Sequence, residues 1–149
     1  HPDDDSLQDM VTHIFYSFGK TLGQLHDYGL SHGRPAMRDI TYDPDTDKVT
    51  LLDWENGRRW PEFTPQGWDL LIFVHSYLRE DNLPIPYLYA MMNGYSSART
   101  ARDTVLHVKE ILRKHECLFK FCRMLNPFHF VDTEAAVKAY DFMLALKTE

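Results

Sequence analysis

The chain has 149 residues, 44% of them hydrophobic, and a formal net charge of −6 at pH 7. This length and apolar content suffice for one core, so we predict a single domain over 1–149, with a motif-bearing core at 6–80 and additional helices at 81–149. The acidic residues are scattered rather than gathered in a tail, which argues against a polyanionic partner. We therefore expect no nucleic acid among its partners.

The sequence carries no signal peptide and no apolar run near the roughly 20 residues that span a bilayer. We therefore predict no membrane span and a cytoplasmic location. The two cysteines, Cys117 and Cys122, are five apart in a helical pattern and so lie on different faces. That spacing suits neither a disulfide nor a zinc pair and predicts reduced core residues.

A long helix is predicted near the start of the chain. Ser6 and Asp9 form a pair similar to a capping box, apolar residues then recur at helical spacing, and Gly29 follows as a stop signal. The apolar positions are Met10, Ile14, Phe18, Leu22 and Leu25. The helix would lead the chain directly into the segment that contains His32.

A β-hairpin is predicted next. Residues 41–43 and 48–53 are short apolar stretches around a Pro-Asp-Thr-Asp turn, in which proline and aspartate favour chain reversal. Asp39 precedes the first strand and Asp53 ends the second, so both carboxylates are expected at one end of the hairpin. Hard cations such as Mg²⁺ take one or two carboxylates together with water and phosphate oxygens. The alternative is that Asp39 caps a loop and Asp53 merely ends a strand.

The rest of the chain is predicted to be helical, at about 64–79, 84–93, 98–124 and 133–147, where apolar periodicity is bounded by glycine and proline. The segment 56–65 between hairpin and helix is polar and is expected to be a loop. The fold class is therefore mainly α with a small β-hairpin (α+β).

The hairpin and the residues before it resemble the active-site hairpin of the protein-kinase-like fold. That pattern is His-x-Asp, an Asn five residues after the Asp, and later Asp-Phe-Gly. His32 falls on the motif His, Arg34 on the catalytic Asp and Asp39 on the metal-binding Asn. The stretch Leu-His-x-x-Gly-x-x-His-Gly at 25–33 is similar to the atypical bacterial branch, the lipopolysaccharide (Kdo or heptose) kinases and RIO-like kinases.

Asp53, Trp54 and Glu55 fall on Asp-Phe-Gly. The resemblance implies the large, C-terminal lobe of a kinase, with Mg²⁺ bound by Asp39 and Asp53 and ATP held by these two residues and Glu55. The catalytic residues it implies are Asp39, Arg34 and Asp53. In this fold an Asp near the start of the central helix binds the backbone of the catalytic loop.

Asp69 is the counterpart of that helix Asp, so it and His32 are expected to support the loop. Arg34 departs from the pattern because a guanidinium cannot accept a proton. The chain also lacks a glycine-rich loop and a strand lysine upstream, so an N-terminal lobe outside this chain is an expected partner, besides nucleotide and an unknown protein or sugar acceptor. The alternative function is a catalytically inactive, pseudokinase-like binding or scaffold module.

Two further groups of residues, three histidines and a pair of arginines, allow other interpretations. His13, His26 and His32 could belong to an unrelated metal protein, but the spacing of His26 to His32 crosses a helix break, unlike the paired ligands of a helical zinc site. We therefore predict that His26 bonds a backbone carbonyl. Arg58 and Arg59, beside Trp60, could hold a phosphate, although solvated arginines are the commoner outcome.

Overall fold

The structure is a computed structural model that describes residues 2–59, 63–80, 82–125, 127 and 130–147. Its elements are α1 (Pro2–Asp27), β1 (Leu30–Ser31), β2 (Ile40–Asp43), β3 (Lys48–Leu51), β4 (Arg58–Arg59), α2 (Phe63–Arg79), α3 (Ile85–Tyr95), α4 (Ala101–Lys114), α5 (Glu116–Leu125) and α6 (Val131–Ala145). Single 3₁₀ turns lie at Met37–Asp39 and Trp54–Asn56. The prediction of a mainly α chain with a small β part is confirmed.

Helix α2 forms the centre of the core. It packs against α4 and α6, and Leu70, Phe73 and Val74 are fully buried. A helix that is apolar on nearly all sides requires partners on nearly all sides. Its position at the centre follows from that composition, and it fixes where Asp69 lies.

Helix α1 packs along α3, and a glycine permits the close approach of the two backbones. A Cβ atom added to Gly19 would lie 1.9 Å from the carbonyl oxygen of Met91. The absence of a side chain at that position therefore allows α1 to seat directly on α3. This contact fixes the direction in which the end of α1 delivers the chain to β1.

Strands β2 and β3 form the predicted antiparallel hairpin, with Ile40 opposite Leu51 and Asp43 opposite Lys48. Val49 and Leu51 are buried, while Lys48 and Thr50 are exposed. That alternation places one face of β3 on α1. A two-stranded hairpin gains its stability from such packing.

The tip of the hairpin is also tied to α1. The Nε2 atom of His13 lies 2.7 Å from Oδ1 of Asp47, which also accepts a hydrogen bond from the Tyr42 hydroxyl. The pKa of Asp47 is lowered, chiefly by the hydrogen bond from His13 and next by that from Tyr42. The turn is thus held in place by side-chain contacts on both sides.

A second short ladder was not predicted. Strands β1 and β4 pair antiparallel, with Leu30 opposite Arg59 and Ser31 opposite Arg58. The expectation of a loop throughout 56–65 is therefore wrong. Two-residue strands show no apolar alternation, so the sequence gives no signal for this ladder.

Several predicted boundaries are also wrong. Helix α1 begins at Pro2, so Ser6 lies inside the helix rather than capping it. The predicted helix at 98–124 is two helices, because the chain leaves helical geometry at His115 (φ −105°, ψ 19°). Cys117 is exposed rather than buried in the core, and both cysteines are free thiols. Within the described ranges, no helix is both long and apolar enough to cross a membrane.

Candidate functional site

The loop after β1 is held by a carboxylate from the central helix. Asp69, fully buried on α2, accepts a hydrogen bond at Oδ2 from the His32 N–H (2.6 Å) and one at Oδ1 from the Gly33 N–H (2.8 Å). Hydrogen bonds between backbone N–H groups and a carboxylate are among the stronger ones in proteins. These two hydrogen bonds fix the start of the loop relative to α2.

A buried histidine from α1 completes this network. Nε2 of His26 lies 3.2 Å from Oδ2 of Asp69, and Nδ1 lies 2.7 Å from the Tyr95 hydroxyl oxygen. A carboxylate only accepts, so we assign the proton to Nε2 of His26 and the role of donor to the Tyr95 hydroxyl. Burial raises the pKa of Tyr95 above its usual value, so the hydroxyl keeps its proton.

The predicted bond from His26 to a backbone carbonyl is therefore wrong. Its own carbonyl oxygen accepts a hydrogen bond from the side-chain amide of Gln66 (2.9 Å). The aromatic and carboxylate partners of the ring come from α3 and α2, which are remote in sequence. No local pattern identifies such partners.

The ring of His32 links the loop to the end of the hairpin. Its Nε2 atom lies 2.6 Å from the carbonyl oxygen of Leu52, so Nε2–H donates. The ring packs on Trp54 with 4.9 Å between the ring centroids. Because Leu52 and Trp54 flank Asp53 in the chain, His32 contacts the backbone of the residue before that aspartate and the side chain of the residue after it.

Gly33 provides a second contact between the loop and the segment after Asp53. Its φ is +91°, and a Cβ atom there would lie 2.2 Å from the carbonyl oxygen of Asn56. Only glycine tolerates both the backbone angle and the contact. The loop thus sits directly against the 3₁₀ turn that follows Asp53.

The hairpin register brings the backbones of Asp39 and Asp53 together. Ile40 pairs with Leu51, and the Leu52 N–H donates to the carbonyl oxygen of Asp39 (2.8 Å). Asp39 is therefore opposite Leu52, and Asp53 is the next residue. Both aspartates lie at the open end of the hairpin, where the sequence placed them.

The two carboxylates have different surroundings. Asp39 is 4% exposed, and its Oδ2 accepts a hydrogen bond from the Ala36 N–H (2.9 Å). Its Oδ1 lies 3.6 Å from Nε of Arg38. Asp53 is exposed and, within the described part of the chain, its carboxylate makes neither a hydrogen bond nor an ion pair.

Asp53 also adopts an unusual backbone conformation. Its φ of 61° and ψ of 60° are left-handed, a region that non-glycine residues occupy at a cost and often at functional positions. The carboxylate gains no contact in the described part to offset that cost. The conformation instead aims the chain into the 3₁₀ turn, whose Trp54 indole N–H donates to the Leu51 carbonyl oxygen (2.8 Å).

The donor chemistry at this end of the hairpin fits a hard divalent cation. Mg²⁺ is commonly held by one or two carboxylates and completed by water and phosphate oxygens, and Asp39 and Asp53 supply two carboxylates from adjacent backbone positions. Across the described residues, no group of three or more His, Cys, Asp or Glu side chains could hold a metal ion by itself. The remaining ligands of such a cation would therefore be water molecules or oxygens of a bound phosphate.

The other residues implied by the resemblance are exposed. Arg34 lies in the bend after Gly33, and Glu55 lies in the 3₁₀ turn. Neither makes an ion pair with any described residue, and Arg34 cannot serve as a base. Arg58 and Arg59 are exposed on β4, while Trp60 lies outside the described residues.

An apolar cavity with a volume of about 460 Å³ lies elsewhere, between α2, α4, α5 and α6. Its walls include Trp68, Leu71, Phe119 and Tyr140, and none of its lining residues comes from the loop or the hairpin. The apolar cavity and the pair of aspartates are therefore separate features.

Comparison with known proteins gives distant relatives, and no family model matches the chain. An uncharacterized protein of Haemophilus influenzae is 35% identical over 97 residues, which cover 60% of this chain and 37% of the relative. A probable bifunctional tRNA threonylcarbamoyladenosine biosynthesis protein of Haloquadratum walsbyi is 28% identical over 101 residues, or 68% of this chain and 18% of the relative.

A protein of the same description from Methanocorpusculum labreanum is also 28% identical, over 98 residues that cover 66% of this chain and 17% of the relative. The matched region thus spans at most 37% of the length of these three relatives.

Proposed function

We propose that this chain is the large lobe of a kinase-like phosphotransferase that binds Mg-ATP and transfers the γ-phosphoryl group to the hydroxyl of an acceptor. The observation that carries the proposal is the hydrogen bond from the Leu52 N–H to the Asp39 carbonyl oxygen (2.8 Å). It sets Asp39 and Asp53 next to each other at the end of the hairpin. The anchoring of the loop by Asp69 supports the same proposal, because phosphoryl transfer depends mainly on positioning and electrostatics.

In this proposal Asp39 and Asp53 hold the cation, and Glu55, in the adjoining turn, helps to hold the nucleotide. Bound Mg²⁺ supplies positive charge that offsets the charge on the phosphates. The acceptor oxygen forms its bond to the γ-phosphorus as the bond from that phosphorus to the β–γ bridging oxygen breaks, and ADP leaves. The hydroxyl proton passes to an oxygen of the transferring phosphoryl group, because Arg34 cannot accept it and the two Asp39 oxygens bind the Ala36 N–H and the cation.

Arg34 acts in this proposal through charge alone. Its guanidinium is always protonated and, exposed beside the loop, it stabilises negative charge on the transferring group. The glycine-rich loop and the strand lysine that would cover the nucleotide are assigned to an N-terminal lobe outside this chain.

Thermal unfolding with and without Mg²⁺ and ATP tests the nucleotide site. A ligand that binds only the folded protein raises its stability, by about 2.7 kcal/mol at a concentration 100 times its Kd. We expect Mg²⁺ and ATP to raise the Tm of the wild type and of Asp45→Asn but not that of Asp53→Asn. Asp45→Asn is the control, because it changes an aspartate in the turn at the other end of the hairpin. An unchanged Tm in all three proteins would contradict the proposal.

A catalytically inactive binding module is the second candidate, and the position of Arg34 favours it because the usual base is replaced by a cation. ADP release in the presence of candidate acceptors separates the two functions. A Tm shift without ADP release above the uncatalysed rate supports the inactive module. ADP release that Asp53→Asn abolishes supports the phosphotransferase.

The names of two relatives favour a third candidate, a role in tRNA modification. The support consists of the 28% identity to proteins so named, while the net charge of −6 opposes direct binding of a polyanion. Electrophoretic mobility of tRNA mixed with the protein at low and moderate salt provides the test. A shift that persists at moderate salt would support this candidate.

A further inference from the structure

Arg38, which no sequence motif identified, is in contact with one of the proposed metal ligands. Its Nε atom lies 3.6 Å from Oδ1 of Asp39, and the Asp39 side chain is 6% exposed whereas that of Arg38 is 68% exposed. A carboxylate removed from water requires a charge partner or hydrogen bonds. Oδ2 is satisfied by the Ala36 N–H (2.9 Å), so Oδ1 depends on Arg38.

The contact is specific to Arg38. No other Lys, Arg or His side chain in the described part of the chain lies within 4.0 Å of the Asp39 carboxylate. Arg34 is exposed and forms no ion pair with any described residue. Asp39 Oδ1 is also the oxygen that remains for a cation once the Ala36 N–H has taken Oδ2.

We propose that Arg38 is the counter-ion of Asp39 in the metal-free protein and that a divalent cation displaces it on binding. This inference rests on the proposed metal site. The guanidinium and the cation would both seek Oδ1, and two positive charges there repel each other. The exposed Arg38 side chain has room to swing into solvent, so displacement requires no change in the fold. Arg38 is thus a positioning residue that sets the apparent affinity for the metal.

A counter-ion role of Arg38 predicts a different result from a purely structural role. In Arg38→Gln the metal-free protein loses a partner for Asp39, while the metal-bound protein loses nothing. By linkage, the stability lost without metal reappears as tighter metal binding. A merely structural Arg38 would lower the Tm equally with and without metal.

Titration of the full chain with Mn²⁺ alone, followed by calorimetry, tests this. We expect the Kd for Mn²⁺ to fall about threefold to fivefold in Arg38→Gln, the range that a partly exposed ion pair represents, and to stay near the wild-type value in Arg38→Lys. Arg58→Gln, which removes the same charge from an exposed residue of β4, should change the Kd less than twofold. We also expect the Tm difference between wild type and Arg38→Gln to narrow at saturating Mn²⁺.

Two aspartate variants separate failure of this inference from failure of the site itself. If Asp39→Asn and Asp53→Asn abolish Mn²⁺ binding but Arg38→Gln binds no tighter than wild type, the role of Arg38 is overturned and the metal site stands. If both aspartate variants bind Mn²⁺ as the wild type does, the metal site and the inference fail together.

Discussion

Two carboxylates at the two sides of the loop, Asp69 and Asp53, differ in almost every physical respect. Asp69 is fully buried and accepts hydrogen bonds from the His32 and Gly33 N–H groups and from the ring of His26. Asp53 is exposed, its side chain has no partner among the described residues, and its backbone is left-handed. The same residue type therefore stabilises the fold at one position and costs stability at the other.

The difference indicates that the two aspartates have different roles around the loop. A carboxylate whose donors all come from the protein has its oxygens committed and holds the loop in place. A solvated carboxylate in a costly conformation contributes nothing to stability that the structure reveals, and the proposed function assigns it to a ligand. Substitution of Asp69 should therefore lower the stability of the fold, whereas substitution of Asp53 should affect ligand binding and leave the stability nearly unchanged.

The largest effect is expected at Asp69. Asp69→Ala would leave the buried His32 N–H, the partly buried Gly33 N–H and the His26 ring without their acceptor. We expect a loss of about 3–5 kcal/mol in the free energy of unfolding, since removing one partner of a buried charged network carries that cost. Urea denaturation measures it. Asp53→Ala should change the same quantity by less than about 1 kcal/mol. Equal losses of the free energy of unfolding in the two variants would contradict different roles for Asp69 and Asp53.

A second large effect is expected at Gly33, where the loop meets the turn after Asp53. Gly33→Ala places a Cβ atom 2.2 Å from the Asn56 carbonyl oxygen at a φ of +91°, and we expect a loss of about 2–4 kcal/mol by urea denaturation. Gly57→Ala is the control, because Gly57 has a φ of −61° and a Cβ atom there would lie no closer than 3.1 Å to its neighbours. A loss as large in the control would mean that the backbone angle is not the cause.

The sequence predicted those parts of the fold whose signals are local. The turn at 44–47 identifies the hairpin, and the hairpin implies that Asp39 and Asp53 share an end. The continuous apolar character of α2 predicts its central position. In each case the residues that determine the structure lie within one element or one turn of each other.

The remaining features depend on partners that are distant in sequence or that lack any pattern. His26 bonds the Tyr95 hydroxyl across 69 positions, and β1 pairs with β4 through only two residues each. Arg38 is adjacent to Asp39 in the sequence, yet adjacency alone does not predict an ion pair because the two side chains need not point the same way. Tertiary packing decides such contacts.

A smaller, pH-dependent effect is expected where α1 meets α4. Burial acts to raise the pKa of Asp27, but the N–H groups of Arg99 and Thr100, the Thr100 hydroxyl and the Arg99 guanidinium together lower it below its usual 3.8. The folded protein therefore binds this proton more weakly than the unfolded chain does. The stabilisation is present above the usual pKa and is lost as the pH falls through the lowered one.

Asp27→Asn tests this coupling. At pH 7 we expect a loss of about 1 kcal/mol, the typical value for a side-chain acceptor at the start of a helix, and the difference from wild type should shrink as the pH falls from 5 to 2. Urea denaturation at several pH values measures it. Asp45→Asn, in the exposed hairpin turn, serves as control, and a difference that does not depend on pH would contradict the lowered pKa of Asp27.

The smallest expected effect has the opposite sign. Among the described residues, Asp47 and Asp53 are the non-glycine residues with positive φ, 51° and 61°. Asp53→Gly relieves the backbone cost and removes a side chain that has no partner in the described part of the chain. We therefore expect a gain of up to about 1 kcal/mol in the free energy of unfolding. We also expect that Mg²⁺ and ATP no longer raise the Tm of this variant. Asp47→Gly relieves a similar backbone cost but loses the contacts to His13 and Tyr42, so its Tm should fall. If Asp53→Gly also lowers the Tm, the Asp53 carboxylate stabilises the fold. The physical argument for Asp53 as a metal ligand then fails.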